Sequence, residues 1–534
     1  MISTTAIFSI IILAICGVYM LVNFKYDIQM LQQNSYRTDR YWRWLNGNKM
    51  TAWRLVDVAL LLLLFSTLLP PTLSAIIATV VLVTKTVMLL RRKYKKPLVF
   101  TNRVKRIYSV TAVLALAIYA AAIVLAYSAD MKLYTGGQVS LGVLLAVSIF
   151  SYVIVTLALW ILAPVEKAIN KRYYNDAARI LASMPDLKII GITGSYGKTS
   201  TKHYLYRILS EQFDVLMTPG SYNTPMGVIR TVREMMKPYN EVFICEMGAK
   251  QVGDIKEICD LVHPSIGIVT AVGPMHLESF KTIENVQATK FELVDALPAD
   301  GLALVNNDFE YCANREVTNV PVIRYAVSSP DGAQFTARDI KYSHSGTTFT
   351  VEGPEGFSLE LTTKLVGECN ISNLLAAVAV ALHLGMKPEN IKYAVAQIEQ
   401  VEHRLNMKRT AGGVTIIDDA FNSNPTGSRM AVDVISQFTG GKRIIVTPGM
   451  IELGDKQFDL NRQLGEHIGK NVDIAIVVGE YNRKALTEGI LSTGFDESKL
   501  IEADTFQDAQ RHLATILTAG DVVLYENDLP DTFK

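Results

Sequence analysis

Five long apolar runs crowd the first 163 residues of this 534-residue chain, near 4–24, 54–70, 72–90, 107–127 and 139–163. As helices, each is about long enough to cross the ~30 Å hydrocarbon core of a bilayer. The first run has no Lys or Arg before Lys25, and no small-residue cleavage site is evident. It therefore reads as a span rather than a cleaved signal peptide. Pro70-Pro71 separates the second and third runs and implies a tight hairpin. The front of the chain is thus expected to be an α-helical membrane domain of five spans, residues 1–163.

Loop charges give the orientation. Lys25, Arg37, Arg40, Arg43, Lys49 and Arg54 fill one loop, and Arg91, Arg92, Lys93, Lys95, Lys96, Arg103, Lys105 and Arg106 another. The Pro-Pro turn carries no charge, and 128–138 has only Asp130 and Lys132. Both basic loops are expected inside, the N-terminus outside, and everything after residue 163 in the cytoplasm, at the plasma membrane. Two charges fall within the hairpin. Asp57 and Lys85 lie at similar distances from its turn and so at similar depth. They read either as a structural ion pair, with the alternative of a snorkelling Lys, or as a polar contact for a lipid-linked substrate.

The charge is split along the chain. Residues 1–163 carry 16 Lys/Arg, four Asp and no Glu, a net of +12, and the remaining residues a net of −11. Mean hydropathy is +0.22. A basic, apolar front on an acidic rear excludes a secreted or nucleic-acid-coating protein, and no nucleic-acid partner is expected. Five cysteines without a CxxC spacing argue against a disulfide framework or a zinc knuckle.

Behind the apolar front, residues 164–185 have helical spacing and read as a connecting helix. Apolar runs then alternate with helical patterns: 188–193, 241–247, 265–272 and 301–306, followed by a β-rich stretch over 322–365 that reads as an antiparallel patch. After about residue 408 the alternation restarts with GVTIID, KRIIVT, DIAIVVG, KLIEAD and DVVLYE. Two α/β domains are expected, 186–408 and a Rossmann-like 409–534.

The segment 191-GITGSYGKTST-201 follows one such strand and opens a helix. Glycines let backbone N–H groups approach phosphates, and the helix N-terminus favours an anion. Lys198 reaches terminal phosphates, and the Thr199 hydroxyl can ligate Mg²⁺. Gly194, Ser195, Gly197, Lys198, Thr199 and Ser200 form the expected nucleotide loop. Its glycine spacing is shorter than that of the usual G-x4-G-K-[ST] motif.

This shorter form resembles that of the Mur ligases, and other segments agree in order: PGSYNTPMGV (219–228), EMGAKQVGDI (246–255), GPMHLESF (273–280), ATKFEL around Lys290, NND (306–308), GECNISNLLAA (367–377), HRL (403–405), DDAFNSNP (418–425) and MIELG (450–454). Order and spacing are most similar to the type that adds D-alanyl-D-alanine to UDP-N-acetylmuramoyl-tripeptide. The resemblance implies a P-loop central domain and a Rossmann-like C-terminal domain. It also implies an ATP-dependent carboxylate–amine ligase working through an acyl phosphate, with Mg²⁺. Thr199, Glu246, His276 and a carbamylated Lys290 would be the metal ligands, and Lys198, Glu246, His276 and Lys290 the catalytic set. Asn307, Asn370, Arg404 and Asp419 would contact the nucleotide, and Asn223, Asn422 and Asn424 the substrate.

Three departures bear on the substrate. The family's leading UDP-sugar domain is replaced by the apolar front. Glu526-Asn527-Asp528 stands where a Lys-Gly-Ser is usual, which suggests an acidic end that favours a cationic amine. Cys369 and Pro448-Gly449 replace a His and a Gly-Asp. The leading expectation is a membrane-anchored ligase whose partners are the bilayer, an amine and a carboxylate, one of these lipid-linked. Alternatives are a soluble-substrate D-alanyl-D-alanine ligase, a poly-γ-glutamate-type synthase, a P-loop transport ATPase, which would lack its LSGGQ-like signature here, and a non-catalytic nucleotide-binding scaffold.

Overall fold

The computed structural model describes residues 4–47, 50–65, 70–92, 94, 96–128, 136–275, 277–343, 346–401, 404–420 and 424–528. The chain falls into two units, Met1–Lys171 and Arg172–Leu529.

Among the described residues of the first unit, every regular element is a helix. Its helices are Thr4–Gln33, Thr38–Gly47, Met50–Phe65, Pro71–Arg91, Asn102–Ser128, Gly136–Ile149 and the first part of Ser151–Ala182. Among the described residues three segments are long and apolar enough to cross a membrane: Ile11–Gln33, Asn102–Leu125 and Ser151–Ala182. The other two expected spans fall on Met50–Phe65 and Pro71–Arg91, which are not among these three candidates, so five crossings are not shown.

Two boundaries differ from the sequence expectation. The run 139–163 is broken at Phe150 into two helices. Arg54 explains the break, because its guanidinium donates to the carbonyl of Ile149 at 2.7 Å and to Ser151 Oγ at 3.0 Å, satisfying the carbonyl end of the first helix. The expected connecting helix over 164–185 has no start of its own, and its residues up to Ala182 belong to a longer helix. They continue Ser151–Ala182, because Pro164 removes a single backbone donor and leaves the rest of the helix ladder intact.

Asp57 and Lys85 do meet, at 2.5 Å and with both side chains buried, and Tyr19 donates to the free carboxylate oxygen at 2.7 Å. This is the structural pair of the two readings. A second pair, which the sequence reading missed, joins the buried Asp27 to the half-buried Arg54 at 2.8 Å.

The second unit holds two sheets. In the first, the strands are β1 Lys188–Thr193, β2 Val215–Met217, β3 Val242–Glu246, β4 Ile266–Val269, β5 Leu302–Asn306, β6 Val322–Ala326, β7 Phe335–Ser343, β8 Gly346–Glu352 and β9 Ser358–Thr363. They lie in the order β2-β3-β1-β4-β5-β6-β7-β8-β9. Pairing is parallel up to β7 and antiparallel from β7 to β9, as the β-rich stretch suggested. β3, β4 and β5 are buried along their whole length because helices cover both faces, so their sequences are apolar without alternation. On one face pack the P-loop helix Lys198–Leu209 and the helix Glu368–His383, whose run from Asn370 to Ala381 is entirely buried. On the other pack Pro225–Met235, Asp254–Val262, Ile283–Asp295 and Ala177.

The second sheet contains β10 Asn406–Arg409, β11 Thr415–Asp419, β12 Arg443–Thr447, β13 Ile474–Val478, β14 Leu500–Ala503 and β15 Val522–Glu526, in the order β10-β11-β15-β12-β13-β14. All pairings are parallel except β10–β11. In the second sheet β15 sits between β11 and β12, and in the first the helices that follow β1 and its neighbours β3 and β4 lie on opposite faces. The carboxyl ends of the strands there open a crevice suited to a ligand.

Candidate active site

The crevice of the first sheet is lined by the ends of β1, β3 and β4. β1 delivers the loop 194–197 into the N-terminus of Lys198–Leu209, where no side chain caps the first backbone N–H groups. Those donors remain available to an anion. Gly197 takes φ +78°, and a Cβ there would sit 2.4 Å from Asn373 Oδ1, so only glycine passes. The loop is strapped down by its neighbours. Ser195 Oγ bonds Gly273, and Thr270 Oγ1 donates to the carbonyls of Thr193, at 3.1 Å, and Tyr196. Lys198 folds its ammonium back over the carbonyls of Gly194 and Ser195. Burial, with the Arg404 charge adding to it, lowers this amine to about 8 against the pull of Glu246.

Glu246 ends β3 with a buried side chain. Its Oε1 accepts from Thr199 Oγ1 at 3.2 Å and from Asn223 Nδ2 at 2.9 Å. Its Oε2 lies 2.9 Å from Lys202 Nζ. Burial would raise this carboxylate, but the charges of Lys202 and Lys198 outweigh it and hold the group below the ordinary range. Thr199 and Glu246 thus present hard oxygens side by side next to the phosphate loop, a donor pair that fits Mg²⁺.

Lys290, on Ile283–Asp295, is buried 6.0 Å from the Phe280 ring centroid. Burial, then the charge of Lys198, lowers it to about 7, with Asp254 and Glu292 opposing. No ion pair holds it among the described residues. His276 and Asn422 lie outside the described residues. Among the described residues no group of three His, Cys, Asp or Glu gathers as a metal cluster.

The second sheet brings Arg404 and Asp419 to the same region. Burial lowers Arg404 while the charges of Asp419 and Glu246 oppose it, so a residue just before β10 senses a carboxylate at the end of β3. Asp419 is pushed up to about 7 by burial and by Glu526, with Arg404 pulling it down. Its Oδ1 accepts from Leu405 N at 3.2 Å.

Other expected site residues are used differently. Asn370 is buried in the helix core, accepting from Tyr204 and donating to the Val366 carbonyl. Its neighbour Asn373, not singled out in the sequence, touches the same P-loop helix nearer the phosphate loop, through Thr201 at 3.1 Å. Asn307 ties Asp331 and Arg324 together beside β5. Asn424 caps Pro425–Ser436 through Gly427 N at 2.7 Å. Glu526 does not offer an exposed acidic end. It is fully buried, accepting from Ser428 at 2.6 Å and Thr447 at 2.7 Å. Lys202 was also missed. Its position on the P-loop helix resembles that of any helical lysine until β3 is placed beside it.

Two family models match the chain: Mur ligase middle domain over residues 192–381, and Mur ligase, glutamate ligase domain over 403–525. The UDP-N-acetylmuramoyl-tripeptide–D-alanyl-D-alanine ligase of Escherichia coli (strain K12) is 30% identical over 351 residues, covering 65% of this chain and 77% of that protein. A crystal structure of MurF from Acinetobacter baumannii aligns with a TM-score of 0.61 at 27% identity, covering 67% of this chain and 77% of that one. MurF ligase from Thermotoga maritima in complex with ADP aligns with a TM-score of 0.60 at 26% identity, covering 67% and 80%.

Proposed function

This chain belongs to the Mur ligase family as a MurF-type, ATP-dependent, ADP-forming ligase, and from that premise we propose that it joins a carboxylate to an amine on a lipid-linked cell-envelope substrate. In this reading the substrate carboxylate attacks the γ-phosphate of ATP, and the incoming amine displaces phosphate from the acyl phosphate. Backbone N–H groups of the 194–197 loop hold the phosphates, and Lys198 offsets charge on the transferring group. Thr199, Glu246 and His276 would hold Mg²⁺, which when bound supplies charge neutralisation at the phosphates. A buried amine near 7 has a substantial neutral fraction at neutral pH, as carbamylation of Lys290 by CO₂ requires. The carbamate would make Lys290 a further anionic ligand. Asn307, Arg404 and Asp419 would contact the nucleotide as the second sheet's domain closes on it.

One observation carries the lipid-linked half of the proposal. Both family matches lie in the second unit, while the first unit is a body whose described regular elements are all helices, with three segments long and apolar enough to cross a membrane. We read that body as a multi-pass plasma-membrane anchor with the N-terminus outside and the catalytic unit in the cytoplasm. Anchoring raises the effective concentration of a partner in the same bilayer without a new contact. The test is ligation of D-alanyl-D-alanine by the full-length protein in vesicles, with a lipid-linked muramoyl-tripeptide set against soluble UDP-N-acetylmuramoyl-tripeptide. The lipid-linked acceptor is expected to be used at least ten-fold faster, and equal use of the soluble one overturns the reading. The second reading, a D-alanyl-D-alanine ligase of soluble precursors, is the one that the relatives' own activity favours.

A further inference from the structure

We infer that Lys202 is a positioning residue that couples the turn at 220–223 to the Thr199–Glu246 pair. The inference rests on that pair being the Mg²⁺ site proposed above. Lys202 is fully buried, and its ammonium has two partners: Glu246 Oε2 at 2.9 Å and the Gly220 carbonyl at 2.7 Å. A buried ion pair is a poor device for stability alone, because the desolvation of both charges cancels most of the attraction. The second partner gives this one a different use.

Gly220 belongs to the same turn as Asn223, whose side chain donates to the other carboxylate oxygen, Oε1. Gly248 closes the arrangement. Its N–H donates to the Asn223 carbonyl at 2.7 Å, and a Cβ at 248 would meet the Asn223 carboxamide at 2.8 Å. The turn is therefore held by Lys202 at one end and Gly248 at the other, and Lys202 and Asn223 also hold Glu246. Lys202 claims Oε2 and leaves Oε1 aimed at Thr199, which fixes the carboxylate to a single oxygen toward the pair. The ammonium also draws negative charge away from that oxygen. Any cation seated between Thr199 and Glu246 must reorder the contacts at Oε1, and Lys202 carries that change into the turn. Ser221, Thr224 and Met226 in and beside it are exposed, so the turn is placed to meet a substrate.

The experiment uses full-length protein and ADP with a Mg²⁺ titration, read by calorimetry and by amide hydrogen exchange over residues 220–224. In the wild type, Mg²⁺ is expected to tighten ADP binding and to slow exchange in the turn. In Lys202→Gln, which keeps a donor but removes the charge, the Mg²⁺ midpoint is expected to fall at least three-fold and the slowing to disappear. Lys202→Arg is expected to keep both. An unchanged midpoint or retained slowing in Lys202→Gln overturns the inference, as does Lys202→Arg behaving like Lys202→Gln. Should Lys202→Gln not fold, the wild type still decides: Mg²⁺-dependent ADP binding with no change of exchange in the turn overturns the coupling. ADP binding indifferent to Mg²⁺ instead overturns the metal reading on which it rests.

Discussion

Glu246 and Glu526 are each a buried carboxylate at the end of an inner strand, β3 beside β1 in one sheet and β15 between β11 and β12 in the other. Their surroundings are opposite. Around Glu246 the chain gathers Lys198 and Lys202, and the carboxylate is held ionised with one oxygen beside a Thr hydroxyl. Around Glu526 it places the hydroxyls of Ser428 and Thr447, and the next carboxylate along, Asp419, is driven upward instead. A buried carboxylate alone does not mark a reacting centre. Its counter-charges decide whether it can present charge to a ligand or only tie strands and helices together.

The sharpest break of this contrast is Lys198→Ala. It removes the cation nearest the phosphate loop and is expected to lower turnover about 10³-fold, measured as ADP release by the full-length protein, without unfolding it. Glu246→Gln keeps the shape but not the charge. Its turnover is expected to fall about 10²-fold, whereas Glu526→Gln is expected to stay within about three-fold. Similar losses in the two glutamine variants would mean that both strand ends serve the reaction. Lys290→Ala tests the cation-rich side from a third direction. Activity is expected to be lost, and added short carboxylates are expected to restore part of it by supplying an anionic ligand. Full activity of Lys290→Ala without CO₂ would end that role.

Stability should show the reverse pattern. Glu526→Ala strips an acceptor from two buried hydroxyls and is expected to cost about 2 kcal/mol, read from thermal unfolding. A pH-dependent effect is expected at Asp419. Its folded value, near 7, lies above the ordinary Asp value of about 3.9, so the native state binds the extra proton between them. The stability this contributes is complete below about pH 4 and is lost as pH rises through about 7. Asp419→Asn should therefore melt with the wild type at about pH 4 and above it at about pH 8. A constant offset between the two proteins would contradict the shift.

Much of this was written in local sequence. Glycines around Lys198, followed by a helix, specify a phosphate loop because backbone geometry and the helix N-terminus act within a few residues. Apolar runs of five or six residues mark strands covered on both faces, and β1, β3, β4 and β5 lie where those runs are. The apolar front was legible too, since length and hydropathy are properties of the chain alone.

Tertiary structure decided what depends on residues far apart in sequence. Arg54 splits the run at Phe150 because it reaches carbonyls some 95 positions away. Asn373 as well as Asn370 meets the P-loop helix, because the fold packs that helix along Glu368–His383 and brings Thr201 and Tyr204 against it. Glu526 reads as an exposed acidic end until Ser428 and Thr447 close over it, and Lys202 reads as a surface lysine until β3 brings Glu246 alongside. Sequence assigns the chemistry a side chain carries. Whether that chemistry is spent inside the fold or left for a ligand depends on burial and counter-charge, which exist only once the strands are assembled.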